Sequence, residues 1–440
     1  MPNSKLLAVA GQPILHSLSP ALFNWLFREM GMGDTYIRLS ASSAREATDT
    51  AASIGIRGLN VTSPLKEAIF SSIDEPDSHS REIQAVNCLG LARQPYRGYN
   101  TDFIGAVHAL KKNGVDPRNK RIAVLGAGGA ARAAAYGLLR AKAKKVTLIN
   151  RTRERAEQAS ARLGCDYARI EHTGDVLNEC DVLVSCIPSP ERIIDPVHIH
   201  KKLLILDASY KRSRLLADAE SKGCRIINGL DWLVHQAIPA FKLFTKRGIP
   251  KGLRQIIREG GWQEKENKKS NIALVGFMGA GKTEVGKLLA EKLSYRFVDT
   301  DDLIEKIAGM TVSEIFQNWG EASFRGLEKA VIRKIVPDTQ KYLFSLGGGA
   351  LLNSENVRIV KERCHTVWLW ASAATIRRRV PPFSRPLLPF EKSPGQTVRL
   401  LEERIPCYAG GSDLVINNEN CDAAKTAERI KNEMDQAFEN

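Results

Sequence analysis

Twice in this chain a short apolar run is followed at once by a glycine-rich turn and then by a helical stretch. Residues 274 to 286 read LVGFMGAGKTEVG, and about 150 residues earlier the chain reads VLGAGGAARA. No other feature limits the fold as much. A turn of this kind cradles phosphate at the end of a strand, where the following helix aims its first N–H groups at the anion. Two such turns call for two nucleotide-binding α/β layers in one molecule. In the later one, Gly276, four residues, and then Gly281-Lys282-Thr283 form the P-loop pattern. There backbone N–H groups surround the phosphates, a lysine reaches the terminal ones and a threonine hydroxyl holds magnesium.

At 440 residues the chain exceeds one ordinary core, so about two or three domains are expected. The eight cysteines stand apart, with no C-x-x-C pair and no spacing suited to zinc, as in a reducing compartment. The opening MPNSKLLAVAGQPILHS has one lysine and an apolar run broken by Gly11, Gln12 and Pro13. It reads as a first strand rather than a signal peptide. No apolar stretch approaches the length of a bilayer span. A cytoplasmic protein without membrane partners is the expectation. The formal charge of +15 invites a nucleic-acid reading. Its basic residues are scattered in singles and pairs such as Lys111-Lys112, Lys144-Lys145 and Lys268-Lys269, without interleaved aromatics. Small polyanionic ligands fit that pattern better, and no nucleic-acid partner is expected.

The chain divides by pattern. Residues 1–105 mix strands (YIRL, GLNV) with a helix started by Ser19-Pro20, and form one expected lobe. Residues 106–262 alternate strand and helix, through RIAVLG, GAARAAAYGLLRA, KVTLIN, RERAEQASARLG, DVLVSC and KLLILDA, as in a parallel sheet with helices on both faces. Residues 263–270, QEKENKKS, are wholly polar and read as a linker, and 271–440 follow as a P-loop α/β domain with a parallel sheet.

In the first loop, Gly126, Ala127, Gly128, Gly129 and Ala130 follow a strand and open a helix, the context of dinucleotide binding. After the next strand an NAD site wants a carboxylate for the ribose 2′-hydroxyl. This chain has Asn150, Arg151 and Thr152, with Arg155 one turn on, which favours the 2′-phosphate of NADP. The stretches HSLSP, GLNVTSPLKE, QAVNCLG and GYNTDFIG place hydroxyl, amide and ionisable groups beside glycine or proline, as ligand loops do. Reduction of a ketone leaves an oxyanion that needs a proton, and Lys66 with Asp102 is the pair suited to supply it. Taken alone, a lysine on the helix after Pro64 reads as a surface residue.

HSLSP, NVTSPLKE, AVNC, YNTD, GAGGAARA, NRT and GLDWLVHQA occur in an order and spacing that resembles shikimate dehydrogenase over about residues 5 to 262. The resemblance implies a two-lobed enzyme with a Rossmann-type NADP domain. It makes Lys66 the general acid/base and Asp102 its partner. Ser17, Ser19, Thr62, Asn87, Tyr210 and Gln236 would then hold the hydroxyls and carboxylate of 3-dehydroshikimate, and Gly229 and Ala208 would line the nicotinamide. The chain departs from the family at Leu18, usually basic, at Ser63, usually apolar, at Phe103, usually glycine, and at Ser185-Cys186-Ile187, usually Asn-Ala-Thr.

Behind the P-loop, FVDTDD puts Asp299 and Asp301 after a strand read to end at Val298, one carboxylate for a metal and one for an acceptor. GFMGAGKT, FVDTD, FRGLE, SLGGGA, RPLL and EERIPCY together resemble shikimate kinase over about residues 271 to 440. That resemblance implies Thr283 and Asp299 on Mg²⁺, and Asp301, Arg325, Gly348 and Arg404 on shikimate, with Asp301 next to the attacking hydroxyl. Lys282 and Arg385 would neutralise the transferring phosphoryl group. Gly279, Ala280, Gly281, Lys282, Thr283 and Glu284 are the expected ATP contacts. The proline-rich segment Arg377 to Gln396 reads as a lid that excludes water.

The two readings lock together: the earlier domain would make the hydroxyl that the later one phosphorylates. Two alternatives stand beside them. One is a quinate/shikimate dehydrogenase with relaxed cofactor use fused to a small-molecule kinase. The other is a pair of sensor halves that bind without turnover.

Overall fold

A computed structural model describes residues 4–92, 94–187, 191–210, 213–263, 269–380, 394–419 and 422–438. The chain forms two compact units, Met1–Arg57 with Glu264–Asn440, and Gly58–Gln263.

The first unit is built on the strand of the P-loop, Asn271–Val275, whose five residues are all buried. It pairs in parallel with Tyr342–Ser345 on one side and Cys364–Trp370 on the other. Arg296–Asp299 extends the sheet beyond the former and Leu414–Asn417 beyond the latter, both in parallel. Continuous apolar runs such as IALV and TVWLW suit strands covered on both faces. Lys282–Leu293 and the C-terminal helix Ala423–Phe438 pack together on one of those faces.

The sheet does not stop there. Leu414–Asn417 also pairs in parallel with Thr35–Ser40, Val415 opposite Leu39 and Ile416 opposite Ser40, and Thr35–Ser40 pairs in parallel with Leu6–Gly11. The compact units therefore part at Arg57 and at Gln263, whereas the sequence pattern drew its boundaries near 105 and at the polar linker. The physical reason is strand pairing, which depends on an exposed edge and not on any local pattern. Of the linker octet, residues 264–268 lie outside the described ones.

The second unit contains a six-stranded parallel sheet in the order Arg225–Ile227, Leu204–Asp207, Val182–Ser185, Arg121–Leu125, Lys145–Asn150, Asp166–Arg169. The strand order reverses at Arg121–Leu125, the doubly wound arrangement whose ligands bind at that switch point. Alanines of helix Gly129–Arg140 fill the space above the sheet, with Ala131, Ala134 and Ala135 at most 1% exposed. Beside this sheet, Ile56–Val61, Cys88–Gly90 and Arg97–Tyr99 pair antiparallel. Helix Asp102–Lys112 packs along Gly229–Thr245, which returns from beyond the six strands. Among the described residues no helix is long and apolar enough to cross a membrane.

One ion pair at the join of strands in the first unit has a measurable signature. Asp413 Oδ2 accepts from Lys269 Nζ at 2.6 Å and from Thr366 N at 2.9 Å, each side chain of the pair being 18% exposed. Burial pushes the Asp413 carboxyl up, but the Lys269 ammonium and the Thr366 N–H outweigh it and hold the group below the usual carboxylate range. A carboxyl held low stabilises the fold above its unfolded value of about 4 and loses that contribution as pH falls through the folded value. Asp413→Asn is therefore expected to cost about 3 kcal/mol at neutral pH, by urea unfolding, with the deficit closing below about pH 4. A deficit equally large at pH 3 would refute the charged pairing.

Candidate functional sites

In the second unit, two helix starts bring a lysine and a carboxylate together. Lys66 opens helix Lys66–Ser72 and Asp102 opens Asp102–Lys112. Lys66 Nζ lies 2.6 Å from Asp102 Oδ2, with side chains 16% and 8% exposed. The other carboxylate oxygen accepts from Asn87 Nδ2 at 2.8 Å. Asn87 Oδ1 in turn accepts from Thr101 N at 2.7 Å, and Gln236 Oε1 accepts from both Asn87 Nδ2 and Thr101 Oγ1 at 3.3 Å. Trp232 Nε1 donates to Asp102 O at 3.0 Å. Lys66 and Asn87 thus hold the two oxygens of one carboxylate, and the ammonium beside it has a defined place.

Three other expected residues report on this pocket. Burial pushes the Tyr210 phenol up, and the negative charge of Asp102 adds to the effect, so the group stays a neutral O–H donor at physiological pH. Burial likewise pushes the Cys186 thiol up, against the Lys66 charge nearby, which keeps it a neutral, weakly polar wall. Thr62 lies just past strand Ile56–Val61, half-buried, its carbonyl accepting from Leu65 N at 2.9 Å.

The first phosphate loop meets the same pocket. Gly126 has φ +114°, and its N–H donates to Ile149 O at 2.8 Å. Gly128 caps the helix that Gly129 and Ala130 begin, and a Cβ on Gly129 would lie 3.2 Å from Lys66 Cβ. Bare backbone N–H groups at a helix start suit a pyrophosphate. Ala127 O accepts from Arg132 Nη1 at 3.3 Å, while Arg132 Nε and Nη2 donate to Ile83 O and Gln84 O at 2.9 Å each. Asn150 ends its strand and donates to Thr152 O at 2.9 Å. Arg151 and Arg155 are both exposed, as a 2′-phosphate site requires. Arg155 is also engaged, its Nη2 lying 3.0 Å from both oxygens of Glu67, which holds Arg132 at 3.3 Å as well. Glu67 and Arg132 stand inside NVTSPLKE and GAGGAARA, but the sequence reading gave neither a role because their partners lie far off in the chain. Ala208 and Gly229 meet directly: Gly229 N donates to Ser209 O at 3.0 Å, and a Cβ on Gly229 would fall 2.3 Å from Ala208 O.

In the first unit, Gly276, Gly279 and Gly281 have φ of +140°, +79° and +91°. Left-handed backbone of this kind forms the nest of N–H groups that binds phosphate. Lys282 Nζ donates to Gly276 O and Phe277 O at 3.0 and 3.1 Å, so the loop holds its own lysine over the nest. Ala280 O accepts from Asn418 Nδ2 at 2.7 Å, an anchoring residue that no motif marked. Thr283 Oγ1 donates to Asp299 Oδ2 at 2.7 Å, which brings both expected magnesium ligands together; Glu284 beside them is exposed. The donor set suits Mg²⁺, which keeps several waters and needs only one or two protein oxygens besides phosphate. The strand runs through Asp299 instead of ending at Val298, and Asp299 caps the helix Thr300–Ala308 by accepting from Asp301 N at 3.0 Å. Asp301 is thereby set apart from the metal pair by the start of a helix.

Asp301, Arg325, Gly348 and Arg404 converge on one turn. A Cβ on Gly347 would lie 2.8 Å from Asp301 Oδ1, and one on Gly349 would lie 2.3 Å from Arg325 Nη2. Gly348 O accepts from Arg404 Nη1 at 3.1 Å and from Tyr408 Oη at 2.5 Å. Arg404 is 3% exposed, and its guanidinium carbon sits 5.2 Å from the centre of the Phe277 ring. Arg325 is braced by Glu328 at 2.9 Å and Glu321 at 3.1 Å. Burial pushes the Glu328 carboxyl up and the Arg325 charge opposes it. Arg385 lies outside the described residues. Of the expected lid, Arg377 to Arg379 belong to helix Ala373–Arg379 and Pro394 to Gln396 begin helix Pro394–Gly411, while 381–393 lie outside.

Family models match three stretches: shikimate dehydrogenase substrate binding domain at 9–89, shikimate/quinate 5-dehydrogenase at 108–218, and shikimate kinase at 278–435. A shikimate dehydrogenase (NADP⁺) of Pyrococcus abyssi is 35% identical over 248 residues, covering 55% of this chain and 92% of its own. One from Methanococcoides burtonii is 36% identical over 256 residues, covering 56% and 94%. Among solved structures, shikimate dehydrogenase of Aquifex aeolicus is 31% identical with a TM-score of 0.54 over 59% of this chain and 98% of its own. The enzyme of Thermus thermophilus in complex with NADP(H) and shikimate is 28% identical, with a TM-score of 0.51 over 58% and 99%.

The contact of Gly229 with backbone gives a direct test of the pocket wall. Gly229→Ala must displace the Ala208 carbonyl and is expected to destabilise the second unit by about 1–3 kcal/mol. Gly252, exposed on helix Lys251–Arg258, has nothing within 4 Å of its Cβ position. Gly252→Ala should be neutral or stabilise by up to about 1 kcal/mol. Thermal melting of both variants against the parent decides; equal melting temperatures would contradict the close approach.

Proposed function

The chain belongs to the shikimate dehydrogenase family and carries a shikimate kinase domain behind it, and from the two sites we infer how one molecule performs both reactions. It is a bifunctional enzyme of the shikimate pathway. One half reduces 3-dehydroshikimate to shikimate with NADPH; the other phosphorylates shikimate to shikimate 3-phosphate with ATP and Mg²⁺. The observation that carries the residue assignment is the 2.6 Å contact of Lys66 with Asp102, joined from segments 36 residues apart and braced by Asn87.

In the dehydrogenase half, bound NADPH supplies a hydride. Lys66 holds the proton that the forming alkoxide takes, and Asp102 keeps that lysine aimed. Ser17, Ser19, Thr62, Asn87, Tyr210 and Gln236 orient the ring by its hydroxyls and carboxylate. Arg151 and Arg155, with Asn150 and Thr152, select the 2′-phosphate of NADP. Gly126 to Ala130 bear the pyrophosphate, and Gly229 with Ala208 face the nicotinamide.

In the kinase half, bound ATP supplies the phosphoryl group and Mg²⁺ spreads its charge. Asp301 orients the attacking hydroxyl and accepts its proton; Arg325, Arg404 and the backbone at Gly348 hold the substrate. Lys282 and Arg385 offset charge on the transferring group, since positioning and positive charge carry this chemistry. Thr283 and Asp299 place the metal. We further propose that 1–105 and 106–262 act as the substrate and NADP lobes and 271–440 as the kinase. Both sites handle anions, which accounts for the charge of +15 in a cytoplasmic enzyme without nucleic acid.

A coupled assay with dehydroshikimate, NADPH, ATP and Mg²⁺ should yield shikimate 3-phosphate. Lys66→Ala is expected to slow NADPH oxidation by about 10²–10⁴-fold and leave phosphorylation of added shikimate unchanged. Asp301→Asn should do the converse. Loss of both activities in either variant would reject separate chemistries.

A further inference from the structure

The segment that leads into HSLSP is held from the far end of the chain. Ile14 N and Leu15 N both donate to Glu433 Oε2, at 2.7 and 2.9 Å. Glu433 lies on the C-terminal helix Ala423–Phe438 and is 0% exposed. Ser17 N donates to Ile14 O at 2.9 Å, so the two N–H groups and the Ser17 backbone form one turn. Ser17 O accepts from Arg38 Nε and Nη2 at 3.0 and 2.7 Å, and Arg38 Nη1 donates onward to Asp413 O at 3.3 Å. The stretch 14–17 is therefore pinned at both ends by groups that reach the kinase domain. A carboxylate can be buried only where hydrogen bonds replace its water, so Glu433 fixes where Ile14 and Leu15 point their N–H groups.

Around this point the same two segments are joined again. Arg429 donates to Ser40 O and pairs with Glu46, and Asn417 Nδ2 donates to Thr50 Oγ1 at 2.7 Å. Those contacts hold the strands together; the Glu433 contact reaches the turn that presents Ser17 and Ser19, which are 4% and 5% exposed.

We propose that Glu433 is a positioning residue for the dehydrogenase reaction: the kinase domain supplies the acceptor that orders the substrate-binding turn of the dehydrogenase. The inference rests on the reading that Ser17 and Ser19 hold the substrate. Because Glu433 acts on a binding turn and not on the proton-transfer pair, its loss weakens substrate binding without slowing chemistry.

The test uses the full chain. Glu433→Ala is expected to raise KM for dehydroshikimate about tenfold, with kcat and KM for NADPH within about twofold. Glu433→Gln keeps an acceptor oxygen in place and should restore KM to within about threefold. Asn417→Ala loosens the same junction without touching Ile14 or Leu15 and should leave the dehydrogenase KM unchanged. Kinase turnover with added shikimate reports that each variant is folded. If the alanine variant does not fold, Glu433→Asp, with its carboxylate drawn back by one methylene, carries the same KM expectation at smaller size. Ser17→Ala separates the two levels of the argument. If it raises KM and the Glu433 variants do not, the positioning role is wrong while the substrate reading survives. If Ser17→Ala has no effect, the substrate reading fails and the proposal with it. An Asn417→Ala effect equal to that of Glu433→Ala would reduce the contact to general stability and overturn the proposal.

Discussion

A buried ammonium beside a buried carboxylate is costly to assemble unless every remaining hydrogen-bonding site is filled. The dehydrogenase pocket is arranged to meet that condition for Asp102. One oxygen faces Lys66 and the other Asn87, while Asn87 is itself fixed by Thr101 and Gln236. The arrangement explains why helix Gly229–Thr245 must return to this lobe: it brings Gln236 to the amide network and Trp232 to the Asp102 carbonyl. It also explains why the phosphate loop comes so near. Gly129 has no side chain to hold the helix off Lys66, so the glycine loop and Lys66 share one wall.

The two phosphate loops solve one problem with different means. Each sits at the end of the central strand of a parallel sheet, where helix N–H groups face the ligand. The earlier loop offers bare backbone, with Arg151 and Arg155 just past the end of the next strand, where a dinucleotide lies across the carboxyl ends of a doubly wound sheet. The later loop adds Lys282 and Thr283, because its ligand reacts at the terminal phosphate and needs mobile positive charge there. One cation at each loop is engaged by the protein itself. Lys282 bonds loop carbonyls and Arg155 bonds Glu67, so a phosphate at either loop would exchange one set of partners for another.

Much of this was legible in the sequence because it is local. Strand, glycine turn and helix follow one another within about a dozen residues, and ordered motifs singled out Lys66, Asp102, Thr283 and Asp299, which the fold brings together as two pairs. What stayed hidden depends on partners distant in the chain. Glu67 and Arg132 look like ordinary helix charges until folding sets them beside Arg155 and the loop carbonyl of Ala127. Asn418 is one amide after a strand, and only the fold shows it bonded to Ala280. Asp299 looked like a residue past the strand because a cap and a last strand residue have the same local appearance; the N–H of Asp301 decides between them.

The least legible feature is the junction of Leu414–Asn417 with Thr35–Ser40. An edge strand carries no code for what will cover it, since its free N–H and C=O groups pair with any suitable backbone. Each of these strands would otherwise end its own sheet, so joining them removes two exposed edges at once. Once the backbones are paired, the side chains alongside must be accommodated in a dry interface. That is where Arg429, Asn417 and Glu433 find partners on the first 57 residues. Two backbone N–H groups meet Glu433 Oε2, and those two groups belong to the turn before Ser17. Covering an edge thus ties the geometry of the turn at Ile14–Ser17 to the helix Ala423–Phe438 through hydrogen bonds that satisfy buried polar groups.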